Sequence, residues 1–122
     1  MKKVLIVDDS PSVRQQVGVA LNQVGIPTAE AADGIEGFAK VSSDADIGVV
    51  LCDVNMPNMN GLELLEKVKG TGRFGTLPFV MLTYEGQQAL IDRARKAGAK
   101  GWVIKPFRGD LLVAAVRRLL TS

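Results

Sequence analysis

The chain has 122 residues, a net charge of +2, 47% hydrophobic and 23% charged residues, which is typical of one compact globular domain and excludes a disordered chain. No apolar run approaches the roughly 20 residues that cross a bilayer, and the first one ends at Asp8-Asp9, too early for a signal-peptide core. Histidine is absent and Cys52 is the single cysteine, which excludes histidine triads, imidazole ligands and an internal disulfide. We expect one domain over residues 1–122 and a cytoplasmic location without membrane association.

Short apolar runs alternate with amphipathic stretches along the chain. Three of the runs are nearly continuous in Val, Ile and Leu, a pattern typical of strands that are buried on both faces. The five predicted strands are Lys3–Val7, Pro27–Glu30 (the weakest), Ile47–Cys52, Pro78–Leu82 and Gly101–Ile104.

Apolar residues at helical spacing predict a helix after each strand. Ser10-Pro11 is typical of a helix start, with serine as the N-cap and proline at the first helical position. The second helix, around Gly34–Val41, has the weakest pattern. Glycines stand where the first, third and fourth helices should end, at Gly25, Gly70 and Gly98.

Strict alternation of strands and helices predicts an α/β fold, in which a parallel sheet carries helices on both faces. Five strands are compatible with the doubly wound, flavodoxin-like order 2-1-3-4-5, although the pattern alone does not fix that order. In such sheets the functional site lies beyond the carboxyl ends of the strands, where the strand order reverses between the first and third strands.

Three carboxylates are predicted at that position. Asp8 and Asp9 end the first strand and Asp53 ends the third. Adjacent negative charges repel each other, and a hard cation such as Mg²⁺, held by a few protein oxygens and water, would compensate them. As isolated residues these aspartates would be read as helix caps and turn residues, but their convergence at two adjacent strand ends favours a metal site.

Two further polar residues follow the fourth and fifth strands. Thr83 offers a hydroxyl donor, and Lys105 offers a positive charge. Alone they would be a strand-end hydroxyl and a solvated lysine. Together with the acids they form the electrostatic arrangement that phosphoryl transfer requires. Asp53 is then the expected nucleophile, because a carboxylate can form an aspartyl phosphate without histidine.

The whole chain resembles the response-regulator receiver family, and it is similar to the CheY-like single-domain members. The resemblance depends on several motifs that occur in the family's order and spacing. These are Val7-Asp8-Asp9-Ser10, the stretch Asp53-Val54-Asn55-Met56-Pro57-Asn58-Met59-Asn60-Gly61, Thr83, and Lys105-Pro106-Phe107.

The resemblance implies a metal site and a phosphoacceptor. Asp53 would accept the phosphoryl group. Asp9 and Asp53 would bind Mg²⁺ directly, Asp8 would bind it through water, and Asn55 would bind it through its main-chain carbonyl.

The resemblance also implies the residues that respond to phosphorylation. Thr83 and Lys105 would bind the phosphoryl group, and a cis peptide bond would precede Pro106. Trp102 matches the family's switch aromatic, the alternative being an ordinary half-buried aromatic. Tyr84 stands where the family usually has a small residue, so it would either shield the phosphoryl group and restrict Trp102 or point into solvent.

The implied function is a phosphorylation-dependent signalling switch of a two-component system, of the kind used in chemotaxis. A histidine kinase or phosphotransfer protein would supply the phosphoryl group, and the face formed by the fourth helix, fifth strand and fifth helix would change its partner preference. The chain would not be an enzyme, since it would catalyse only its own phosphorylation and dephosphorylation. It would be a monomer or a phosphorylation-dependent dimer. The alternative is an isolated receiver domain of a larger regulator, such as a DNA-binding transcription factor.

Charge and motif spacing bear on the partners and on other functions. Residues 1–85 hold seven Lys/Arg and eleven Asp/Glu, and residues 86–122 hold eight and two. The basic part suggests an acidic protein partner, or else ordinary solvated helix faces. The sequence contains no recognition helix, so it does not indicate direct nucleic-acid binding.

Two other functions are compatible with an α/β fold but do not match the motifs. A hydrolase resembling haloacid dehalogenases would need an Asp-x-Asp motif after the first strand, and an FMN carrier would need a Ser/Thr-rich loop where Asp8-Asp9 stand.

Overall fold

The computed structural model describes residues 2–56, 58–84 and 88–120. Strands and helices alternate in this part of the chain, as the sequence predicts. In chain order they are β1 (Lys3–Val7), α1 (Pro11–Asn22), β2 (Thr28–Ala31), α2 (Gly34–Ser43), β3 (Ile47–Asp53), α3 (Gly61–Gly70), β4 (Phe79–Tyr84), α4 (Gln88–Lys96), β5 (Gly101–Lys105) and α5 (Gly109–Leu120).

All paired strands are parallel, and the sheet order is β2-β1-β3-β4-β5. This confirms the predicted doubly wound α/β fold. Pro57, which belongs to the motif after Asp53, lies outside the described residues, as do Met1, Thr121 and Ser122 at the ends of the predicted domain. Among the described residues, no helix has both the length and the apolar composition needed to cross a membrane.

Two apolar cores lie on opposite faces of the sheet. In β1, Leu5 and Val7 pack into one core, while Val4 and Ile6 pack into the other, and all four are fully buried. Because both faces are covered, an inner strand has no polar face, which explains its continuous apolar sequence. Cys52 on β3 is also fully buried, and burial raises the pKa of its thiol well above the usual value.

Four strands end later than the ranges that the sequence predicts. β2 ends at Ala31, β3 at Asp53, β4 at Tyr84 and β5 at Lys105. Thr83 and Tyr84 pair with Ile104 and Lys105 in the β4–β5 ladder. A polar side chain after an apolar run indicates the end of a strand, but the backbones of these residues still pair with the neighbouring strand. The polar residues of the predicted site are therefore held by the sheet itself.

The start of α3 lies against the end of β3. The Gly61 backbone N–H donates to the Val54 carbonyl at 3.2 Å. A Cβ atom placed on Gly61 would lie 2.2 Å from the Asp53 carbonyl oxygen and 3.0 Å from the Cys52 sulfur. Only glycine permits this approach without a backbone shift.

Gly61→Ala should destabilise the fold by about 1–3 kcal/mol, because the methyl group has to displace the backbone of Asp53. Urea unfolding of both proteins measures the difference. Gly70→Ala is the matched control, since no atom lies within 4 Å of its added Cβ, and it should change stability by less than about 1 kcal/mol. A Gly61→Ala protein as stable as the wild type would contradict the close approach.

Candidate functional site

The three predicted carboxylates meet at the carboxyl edge of the sheet. Asp8 and Asp9 follow β1, and Asp53 ends the neighbouring β3. One oxygen of each carboxylate lies within 4.8 Å of the others. Asp8 and Asp53 are buried, at 0% and 3% exposure, whereas Asp9 is exposed. The cluster is therefore closed on the side of the protein and open to solvent at Asp9.

Lys105 reaches the two buried carboxylates from the end of β5. Its Nζ lies 3.1 Å from Asp8 Oδ2 and 3.2 Å from Asp53 Oδ2, and its side chain is only 8% exposed. Burial alone would lower the pKa of Lys105, but the attraction of Asp53 and Asp8 outweighs burial and raises it. Lys105 is therefore firmly protonated between the two acids.

Asp53 is held in an environment that opposes its negative charge. Burial raises the pKa of Asp53, and repulsion from Asp8 raises it further. Lys105 and the Asn55 backbone N–H, which donates to Asp53 Oδ1 at 3.1 Å, offset this only in part. Further positive charge near Asp53 would stabilise its ionised form.

The donor set fits a hard divalent cation. Three carboxylates face one lysine, so one charged partner leaves the cluster net negative. The candidate ligands are oxygens, which suit Mg²⁺ rather than softer metals. Asp9 borders an open depression that Asn55 also lines, so a cation there would keep access to water. The cluster can bind a metal.

Thr83 supplies an unsatisfied donor in the same region. Its hydroxyl oxygen is fully buried and has no hydrogen-bond partner within the described ranges 2–56, 58–84 and 88–120. Buried hydroxyls rarely lack a partner, so each exception calls for an explanation. An acceptor oxygen brought to this end of the sheet by a phosphoryl group would provide one.

Tyr84 and Trp102 are both in contact with cations. The Tyr84 side chain is 53% exposed, and its ring centre lies 5.4 Å from the Lys105 ammonium. Tyr84 therefore covers Lys105 from the solvent side instead of filling the interior. Trp102 is half-buried against the core, and the Arg95 guanidinium lies 4.8 Å from its ring centre. The Lys105–Pro106 peptide bond is cis.

Arg14 is a neighbour of the site that the sequence pattern does not reveal. Its Nη1 donates to the Asp8 carbonyl oxygen, and its Nε donates to the Glu30 carboxylate at 2.9 Å. Ser10, predicted as the cap of α1, also donates its backbone N–H to Asp8 Oδ1 at 2.9 Å. Arg14 resembles any polar residue on a solvated helix face, because a bond to a main-chain carbonyl leaves no motif in the sequence.

Comparison with known sequences finds similar proteins. A family model described as "Response regulator receiver domain" matches residues 4–117. A curated relative, chemotaxis protein CheY1 of Helicobacter pylori, is 40% identical over 111 residues, which cover 90% of each chain.

Solved structures show the same architecture. Chemotaxis protein CheY4 of Vibrio cholerae aligns with a TM-score of 0.89 and 39% identity over 98% of each chain. The signal receiver domain of a signal transduction histidine kinase from Syntrophus aciditrophicus aligns with a TM-score of 0.90 and 29% identity, over 99% of this chain and 91% of that one.

In the metal-free protein, Asp53→Asn should raise the thermal stability at neutral pH, and the gain should vanish in acid. The raised pKa of Asp53 means that its contribution to stability is full below the ordinary carboxyl pKa and is lost as the pH rises through the raised value. The uncharged amide avoids this loss.

Thermal unfolding of both proteins from about pH 3 to pH 8 tests this linkage. Asp46→Asn, at an exposed carboxylate far from the cluster, is the control and should show no comparable gain. Equal or lower stability of Asp53→Asn at neutral pH would show that ionised Asp53 is fully compensated by its neighbours.

Proposed function

The chain belongs to the response regulator receiver family, and on that basis we propose that it is a phosphorylation switch in which Asp53 accepts a phosphoryl group. The observation that carries this proposal is the position of Lys105, which bridges Asp8 and Asp53 at the edge of the sheet. The Thr83 hydroxyl, which has no hydrogen-bond partner in the described part of the chain, lies on the strand next to that of Asp53. A negatively charged group on Asp53 would find a cation and a hydroxyl donor already in place.

The chemistry is a displacement at phosphorus. An oxygen of Asp53 attacks the phosphorus atom, and the bond to the donor's leaving group, such as the imidazole nitrogen of a phosphohistidine, breaks. Lys105 then shares its ammonium with a phosphoryl oxygen, and Thr83 donates its hydroxyl hydrogen to another. Asp8, Asp9, Asp53 and the Asn55 carbonyl would hold Mg²⁺, which when bound neutralises charge on the phosphoryl oxygens.

The output surface in this proposal is the face formed by α4, β5 and α5. Two exposed apolar side chains support it, Ile104 on β5 at 39% exposure and Leu111 on α5 at 58%. Ile104 is also the ladder partner of Thr83. Movement of Thr83 toward a phosphoryl group, accompanied by Trp102, would shift the population of this face between two partner preferences.

The basic residues of this face favour an acidic partner less strongly than the excess of Lys and Arg in residues 86–122 suggests. Arg93 on α4 is paired with Glu66 on α3 through two bonds of 2.7 and 3.1 Å, so its charge is already compensated. Arg95 is stacked on Trp102. An acidic protein segment remains the proposed downstream target, and we propose no direct contact with nucleic acid or membrane.

The phosphoryl donor in this proposal is a histidine kinase or a phosphotransfer protein, and the pathway is chemotaxis-like, as in the named relatives. The activity extends only to the chain's own phosphorylation and dephosphorylation. The second candidate is a receiver domain of a larger regulator, which is favoured by the similar receiver domain within a histidine kinase. Cytoplasmic location and a monomer or phosphorylation-dependent dimer stay predictions.

Asp53→Asn should abolish incorporation of label from radioactive acetyl phosphate in the presence of Mg²⁺, because the amide keeps the shape of the side chain but is not a nucleophile. Asp46→Asn is the matched control and should be labelled like the wild type. Undiminished labelling of Asp53→Asn would place the acceptor on another residue and refute the proposed role.

Tyr84→Ala should speed the loss of phosphate from Asp53, because removing the ring that covers Lys105 opens a path for the attacking water. Stopped-flow detection of released phosphate measures the rate. Tyr84→Phe keeps the ring and should retain the wild-type rate. Equal or slower loss from Tyr84→Ala would show that the exposed ring does not shield the phosphoryl group.

A further inference from the structure

Arg14 connects three elements behind the acid cluster. It lies in the first turns of α1, and its side chain extends back toward the start of the helix, the direction that helical side chains favour. Its guanidinium donates to the carbonyl of Asp8, just after β1, and to the carboxylate of Glu30 on β2. Its side chain is only 17% exposed. Arg14 is therefore held in place by its partners, and within the described residues it makes no ion pair with a carboxylate of the cluster.

The bond to the Asp8 carbonyl fixes the orientation of one peptide group. That peptide joins Asp8 to Asp9, so its orientation fixes the position of the Asp9 Cα and, together with the φ angle of Asp9, the direction of the Asp9 side chain. Asp8 has further anchors, because its N–H donates to the Ala31 carbonyl and its carboxylate binds the Ser10 N–H and Lys105. Asp9 is exposed, and no comparable set of bonds holds its carboxylate among the described residues.

We propose that Arg14 is a positioning residue for the metal site, which orients Asp9 through the Asp8–Asp9 peptide. Glu30 completes the arrangement by holding the guanidinium from the other side. The inference rests on the proposed function, since it concerns the cation that the acid cluster would hold. Residues that orient metal ligands without touching the metal commonly change the affinity 10- to 100-fold, roughly, when they are replaced.

Charge and geometry predict opposite effects for the same substitution. Arg14 carries a positive charge near the acid cluster, so its removal would strengthen cation binding if charge were its only contribution. If Arg14 acts by orienting Asp9, its removal weakens cation binding. The sign of the change in Mg²⁺ affinity therefore separates a positioning role from a purely electrostatic one.

The test compares Arg14→Met, Arg14→Lys and Glu30→Gln with the wild type by calorimetric titration with Mg²⁺. Arg14→Met should weaken binding about tenfold or more. Arg14→Lys, which keeps the charge but lacks the rigid planar fork of donors of the guanidinium, should also weaken binding, and Glu30→Gln should weaken it less. Arg108→Met, at an exposed arginine paired with Asp110, is the control and should leave binding unchanged.

A second measurement uses the metal-free protein and needs no phosphorylation. The amide resonance of Asp9 should shift in the Arg14 variants and stay unchanged in Arg108→Met.

A third measurement follows phosphorylation at increasing Mg²⁺ concentration. Arg14→Met should need more Mg²⁺ to reach its half-maximal phosphorylation rate, and its rate should approach that of the wild type at saturating Mg²⁺.

The outcomes separate this inference from the proposed function. Unchanged or tighter Mg²⁺ binding by a folded Arg14→Met or Arg14→Lys protein, with an unshifted Asp9 amide, would overturn the role of Arg14. A wild-type protein that binds no Mg²⁺ and takes no label would refute the proposed function itself.

Discussion

The buried contact of Lys105 with Asp8 and Asp53 is the interaction on which the site depends. Two carboxylates that are almost inaccessible to solvent would repel each other strongly, and a buried charge left without its partner typically costs about 3–5 kcal/mol. Lys105 offsets part of that cost, and the pKa of Asp53 nevertheless stays raised by burial and by repulsion from Asp8. The protein therefore keeps a site that is stable enough to fold and still attracts additional positive charge.

The sheet connects this site to the surface by a short physical path. Thr83 is one residue from the end of β4, and its ladder partner Ile104 is exposed on β5. Two positions earlier in the same ladder, Met81 pairs with Trp102, on which Arg95 is stacked. The β4–β5 ladder therefore joins Thr83 directly to the strand that carries both the exposed apolar residue and the aromatic ring.

The fold and the acid cluster were predictable because they follow from strong rules. Strands buried on both faces are continuously apolar, and parallel strands bring their carboxyl ends to one edge of the sheet. Asp8 and Asp53 meet there because β1 lies next to β3, an adjacency that the alternating pattern permits but does not fix. The placement of Thr83 and Lys105 inside strands was missed, since a polar side chain does not reveal whether its backbone is still paired. Arg14 was missed as well, because its partner is a main-chain carbonyl, which is the same chemical group at every position.

The distance in sequence between Asp8 and Lys105, 97 positions, has a consequence for biosynthesis. Asp8 belongs to the first strand's end and Lys105 to the last strand, so the pair forms only when the complete sheet exists. On the ribosome, Asp53 emerges before Lys105 is made, so the nascent chain carries both carboxylates without their counter-charge. Proteolytic removal of β5 and α5 would likewise leave Asp8 and Asp53 without Lys105, so the compensated acid cluster is a property of the complete five-stranded sheet.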